Sequence, residues 1–304
     1  MLRVYPTYSV LGLQQSTLAG HLAAVQSFHR LSCSGELDTG HPLICNALKG
    51  VARGHADVGT QQRVRQPVRW GVLKAGGKLV PAWGSGGRVL FLVLCASFFF
   101  LTRSSEMFAV SRSAMHEVHG LRRGDVAFFQ GPEQLPSARW ECADRVELRF
   151  RFSKDDQFRK GTVVTRVRVG PRCRSEAGGG AVDVMIDLLS CCRALPSHAP
   201  LVAFDVEGGR WSMWSKHQAV AALRQVVALA GLPPMEYALH SLRIGGATYL
   251  AAAGATPEVL RKEGRWAGEE GYRPYVRSHG GDAAWVSKAL ASEGGGAVQS
   301  GQGT

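Results

Sequence analysis

His240-Ser-Leu-Arg243 is followed, 21 residues after the arginine, by Gly264-Arg265-Trp266, and then by Tyr272 and Tyr275. An imidazole, a guanidinium, an indole and a phenol at these spacings suit one reaction, the attack of a tyrosine hydroxyl on a phosphodiester. That attack passes through a pentacoordinate state carrying extra negative charge, which fixed cations and hydrogen-bond donors must stabilise when no metal takes part. Arginine fits the task because its planar fork pairs two phosphate oxygens and stays charged. The leaving oxygen needs a proton from a nearby lysine or histidine. The tyrosine, whose ordinary pKa is about 10, needs neighbours that favour its anion.

His240 and Arg243 stand three apart and so share one face of a helix. The pair alone would also fit a surface helix with two polar residues. Gly245, Gly246 and Ala247 add small residues that let this helix pack closely. The Trp266 indole N–H is a donor only, so it can bind a phosphate oxygen while its ring packs. Thr102-Arg103-Ser104-Ser105-Glu106-Met107 directly follows an apolar run. Residues 145–152 (RVELRFRF) and 163–169 (VVTRVRV) alternate apolar with basic side chains, which predicts two strands of an antiparallel hairpin. Their connection carries Lys154 and Lys160.

The run HSLRIGGATYLAAAGATPEVLRKEGRW with YRPYVR behind it resembles the C-terminal catalytic half of the tyrosine recombinases, or phage integrases. The resemblance spans roughly residues 10–288, with its specific motifs at 100–107, 153–157 and 239–277. It implies that Arg103, His240 and Arg243 hold the scissile phosphate, with Glu106 orienting Arg103. Ser153-Lys154-Asp155-Asp156-Gln157 resembles the family's lysine-bearing hairpin turn, which makes Lys154 the general-acid candidate and Lys160 its rival. Trp266 falls where members carry histidine or tryptophan. Its separation of nine residues from Tyr275 equals the family's separation to the nucleophile. Tyr275 is therefore the expected nucleophile and Tyr272 the alternative.

By the same resemblance, a 3′-phosphotyrosine conserves the bond energy, so no cofactor and no metal is implied. The implied partner is double-stranded DNA, bound by a homo-tetramer across two duplexes. Residues 1–66 resemble a short helical core-binding domain, 67–288 the catalytic domain, and 289–304 read as a disordered Gly-rich tail. Two departures stand out. Arg265 adds a residue between Gly264 and Trp266. Pro274 disfavours a helical Arg273, which sets Tyr275 at a helix start. Two other activities remain open: strand cleavage and resealing like a type IB topoisomerase, and DNA binding without cleavage by a decayed or domesticated integrase.

The elements that must position these residues are legible too. The 304 residues are 45% hydrophobic and 20% charged, as a globular chain is. A formal charge of +12 favours a polyanionic partner. Seven irregularly spaced cysteines without a CxxC argue against a disulfide framework and a structural zinc site, and for a reducing compartment; the resemblance implies an intracellular location alongside DNA. The start lacks a signal-peptide pattern. The apolar run 89–102 has 14 residues, short of the roughly 20 a membrane span needs, so it reads as a buried helix and no membrane partner is expected. Helices are predicted near 14–31, 42–53, 214–230, 239–253 and 256–263, with an Arg-bearing linker over 53–69 and a Gly-rich lead-in over 71–87. The expected fold class is mainly α with a small antiparallel β-sheet (α+β).

Overall fold

The computed structural model describes residues 15–32, 37–57, 65–108, 120–151, 161–172, 179–206 and 210–273. The chain divides into two compact units, Met1–Val64 and Arg65–Thr304. In the first, α1 (Gln15–Ser32) packs on α2 (Pro42–Asp57). Pro42 takes the first helical position, where its missing N–H costs nothing. The predicted apolar stripe of α1 is only partly covered: Leu18 is 3% exposed but Phe28 is 69% exposed. Helix α2 runs on through Arg53, so the stretch read as linker begins inside a helix.

The second unit is mainly α with small antiparallel sheets. Its chain order begins with α3 (Trp70–Ala75), a 3₁₀ segment (Gly76–Trp83), α4 (Gly87–Phe99) and the single turn α5 (Ser104–Met107). The Gly-rich lead-in is thus mostly helical. Strands β1 (Val126–Gln130), β2 (Glu133–Gln134), β3 (Arg145–Phe150) and β4 (Thr162–Val167) follow. Next come α6 (Ala181–Cys191), the hairpin β5 (Ala203–Val206) and β6 (Arg210–Met213), α7 (Lys216–Leu229), α8 (His240–Ala252), α9 (Pro257–Gly264) and α10 (Glu269–Tyr272).

Helix α4 is apolar on every side, and such a helix must be buried. Phe91, Leu92, Val93 and Leu94 have no exposed surface, and each contributes roughly 1.5–3 kcal/mol by leaving water. Helices α6 and α8 pack against it. No helix among the described residues is long and apolar enough to cross a membrane.

The predicted hairpin forms as β3 and β4, in register from Arg145↔Val167 to Phe150↔Thr162. It belongs to a four-stranded sheet of order β2-β1-β3-β4. Val146, Leu148 and Phe150 alternate inward along β3, as a half-buried strand requires.

Two glycines set how closely α8 approaches its neighbours. A Cβ on Gly245 would stand 2.0 Å from the Val68 carbonyl oxygen, and one on Gly246 would stand 2.4 Å from that of Phe98. The Val68 N–H donates to the Ser241 carbonyl at 3.0 Å, which fixes the extended segment 65–69 beside the start of α8.

Candidate active site

The site grows from the C-terminal end of α4. Phe100 closes the helix and Leu101 turns the chain through φ 48°. Arg103 then leaves in an extended conformation as the N-cap of α5. Glu106, three residues on, accepts the Arg103 backbone N–H at 2.7 Å and its Nη1 at 3.3 Å. The carboxylate is 5% exposed, a burial that demands ionic and hydrogen-bond partners.

Helix α8 brings His240 and Arg243 to the same place in its first turn. Arg243 has no exposed surface. Its guanidinium donates to the carbonyls of Leu101 and Gly264 and lies 4.3 Å over the Trp266 ring. The turn after α4, the first turn of α8 and the end of α9 are therefore joined by one side chain. His240 is half-buried, and its pKa is pushed down to about 4, first by burial and then by the charges of Arg243, Arg103 and Lys216. At neutral pH its ring is uncharged.

Helix α9 ends where the third part of the site begins. Thr256 caps it, its hydroxyl accepting the Val259 N–H, and Arg265 closes it in the left-handed conformation, φ 55° and ψ 48°. The Arg265 N–H reaches the Lys262 carbonyl at 3.1 Å and the Trp266 N–H reaches that of Arg261 at 3.0 Å, a common way of satisfying a helix's last carbonyls. This turn folds the Trp266 ring back over Gly264, where a Cβ would stand 1.8 Å from the ring. Only glycine fits there.

The Arg265 side chain is 3% exposed. Its guanidinium donates to the carbonyls of Phe100 at 3.1 Å and Leu101 at 3.2 Å, and to Glu106 Oε2 at 2.8 Å. It also stacks 3.6 Å over the Phe150 ring at the end of β3. In return, the Arg265 carbonyl accepts from Arg103 Nη2 at 3.2 Å. Arg166 of β4 ties the hairpin in as well, donating to the Phe99 carbonyl at 3.0 Å and pairing with Glu263.

Of the six residues expected from the sequence, Arg103, His240, Arg243 and Trp266 come together. Lys154 and Tyr275 lie outside the described residues, as does Lys160. Tyr272 is 7% exposed and its ring sits 6.1 Å from that of Trp266, in a small cluster with Leu101, Ala247 and Leu260. Two residues went unassigned in the sequence. Arg265 was visible only as an insertion, and Lys216 only as a member of the α7 pattern; no local signal connects either to residues more than twenty positions away.

The arrangement can receive an anion. Arg103 is 19% exposed at its side chain, and Lys216 is exposed beside the half-buried His240. Arg243 is closed over, its guanidinium held by the Leu101 and Gly264 carbonyls beside the Trp266 ring. Among the described residues, no group of three or more His, Cys, Asp or Glu side chains could hold a metal ion.

The chain matches no known family by sequence profile and no curated protein. Among solved structures, it is similar to the XerH site-specific recombinase bound to palindromic difH substrate in a post-cleavage complex, at 13% identity and a TM-score of 0.48, over 72% of this chain and 50% of that one. It is also similar to XerH bound to difH substrate in a pre-cleavage complex, at 14% identity and a TM-score of 0.46, over 73% of this chain and 52% of that one. The chain thus spans about half the length of the structures it resembles.

Proposed function

We propose that this chain is a site-specific DNA recombinase of the tyrosine recombinase type, derived from a mobile element, that cuts and rejoins DNA through a 3′-phosphotyrosine. The observation that carries the reading is the bonding of Arg243 to both Leu101 and Gly264, with Trp266 beneath it. That contact gathers three segments remote in sequence, each bearing a phosphate-binding candidate. A net charge of +12 suits the substrate.

Each residue then has a task. Arg103 and Arg243 bind the non-bridging oxygens of the scissile phosphate, and Trp266 donates its indole N–H. His240, uncharged at neutral pH, serves as a hydrogen-bonding group and not as a cationic acid. Protonation of the leaving 5′ oxygen falls to Lys154. In sequence, Lys154 comes four residues after Phe150, which stacks under Arg265. Tyr275 is the nucleophile. In sequence, it comes three residues after Tyr272, which packs against Trp266. Tyr272 itself is buried in the Trp266 cluster, which disfavours it as the attacking group. A 5′ hydroxyl from a partner strand reverses the step. In this reading, residues 1–66 bind DNA, 67–288 carry the chemistry, and four copies act on two duplexes.

The test is a denaturing gel of wild type, Tyr275→Phe and Tyr272→Phe mixed with a pool of nicked duplexes that trap cleavage. A covalent protein–DNA band lost only in Tyr275→Phe supports the reading. Loss only in Tyr272→Phe keeps the reaction and moves the nucleophile. Salt-sensitive binding without any band points to a DNA binder that does not cut. Strand exchange between two labelled duplexes separates recombination from topoisomerase-like resealing.

A further inference from the structure

Arg265 is buried, charged and strained, yet the proposed chemistry gives it no role. Its φ of 55° is a conformation that side-chain-bearing residues rarely adopt. Its guanidinium donors go to the Phe100 and Leu101 carbonyls and to Glu106, and its flat face covers the Phe150 ring. None of these contacts faces solvent, so Arg265 is not placed to touch a substrate. What it touches instead is Glu106, whose carboxylate holds Arg103.

The connections run in both directions. Glu106 Oε2 is shared between the Arg103 backbone N–H at 2.7 Å and Arg265 Nη2 at 2.8 Å. Glu106 Oε1 receives Arg103 Nη1 at 3.3 Å, while Arg103 Nη2 donates to the Arg265 carbonyl at 3.2 Å. The Leu101 carbonyl accepts from both Arg265 and Arg243. Arg265 thus fixes Glu106 from behind, presents its own carbonyl to Arg103, and shares an acceptor with Arg243.

We propose that Arg265 is a positioning residue that sets the Arg103 and Arg243 guanidiniums at the spacing the scissile phosphate requires, acting through Glu106 and the Leu101 carbonyl. This rests on the recombinase reading. Without a buried cation behind it, Glu106 would balance its charge with Arg103 alone and draw that side chain inward, away from phosphate. With Arg265 present, the carboxylate is shared between two guanidiniums, and Arg103 is held between Glu106 and the Arg265 carbonyl.

The experiment uses the full chain and the nicked-duplex assay, reading the rate of covalent adduct formation at saturating DNA, the half-saturating DNA concentration and the thermal midpoint. Arg265→Gly suits the left-handed backbone and removes the guanidinium. Glu106→Gln keeps a side chain of the same shape and removes the charge that links Arg265 to Arg103. Both variants are expected to slow adduct formation at least tenfold, with half-saturation within threefold of wild type, at a temperature where circular dichroism shows them folded. Their combination should be no slower than the worse single variant, because both cut one chain of contacts.

A purely structural Arg265 would lower the thermal midpoint and leave the saturated rate within twofold, which overturns the proposal. Additive rate losses in the double variant would overturn it as well. Absence of adduct in wild type as well as the variants would instead overturn the recombinase reading, and the positioning role with it.

Discussion

Arg265 donates to the Leu101 carbonyl at 3.2 Å, and these two are the non-glycine residues at positive φ among the described residues, 55° and 48°. Each such conformation costs roughly 1–2 kcal/mol. Strained backbone persists where surrounding contacts over-determine it, and it gathers at functional sites. Here both residues stand where an element ends and a site residue begins: Leu101 two positions before Arg103, Arg265 directly before Trp266.

Tyr272→Ala should destabilise the fold as well as the site. It removes a ring from the cluster of Leu101, Ala247, Leu260 and Trp266, and truncating a buried aromatic costs about 3–5 kcal/mol. Tyr275→Phe should leave the denaturant midpoint unchanged while abolishing the covalent adduct. Urea titrations of both variants check the contrast; an adduct retained by Tyr275→Phe would sink the assignment.

Gly264→Ala should disrupt the site from the backbone outward. The added methyl would sit 1.8 Å from the Trp266 ring, so the ring must leave its place under Arg243. The expected loss is roughly 1–3 kcal/mol, read as a thermal midpoint lower by about 2–4 °C per kcal/mol, together with loss of adduct. A midpoint within 1 °C or so of wild type would show that the turn relaxes freely.

Gly245→Ala tests the packing of α8 and nothing chemical. Its Cβ would meet the Val68 carbonyl at 2.0 Å, and backbone cannot swing aside as a side chain can. A destabilisation of at least about 2 kcal/mol is expected. Hydrogen exchange should show faster opening at Val68, whose N–H bonds to the Ser241 carbonyl.

Acid should destabilise the protein through His240. Its folded pKa is about 4, below the ordinary 6.5, so the unfolded chain takes up the proton first as pH falls. Stability from this group is full above about pH 6.5 and is lost progressively down to about pH 4. His240→Gln should flatten that part of the profile of unfolding free energy against pH. An unchanged slope between pH 6.5 and 4 would show that other groups carry it.

Much of the fold was legible because its signals are local. The apolar run at 89–101 has no polar face and can only be buried. Alternation marked β3 and β4, and helical patterning marked α7, α8 and α9. Strand β1 and helix α6 went unread. The Val126–Gln130 segment is too short and too uniformly apolar to declare a period, and α6 carries Asp183 and Asp187 into a buried ion-pair network with Arg168 and Arg172. Acidic residues inside a core become acceptable only when partners arrive from elsewhere in the chain.

The sequence by itself determined which side chains stand at one end of α4, in the first turn of α8 and after α9, because spacing along a helix fixes a face. It also determined that Gly245 and Gly246 permit close packing. Only the tertiary structure decided that Arg243 is fully buried, that Leu101 turns left-handed, and that Arg265 reaches Glu106 across 159 positions. The physical reason is that a buried charge must be balanced by whatever folding brings beside it, and no local pattern encodes a partner that distant.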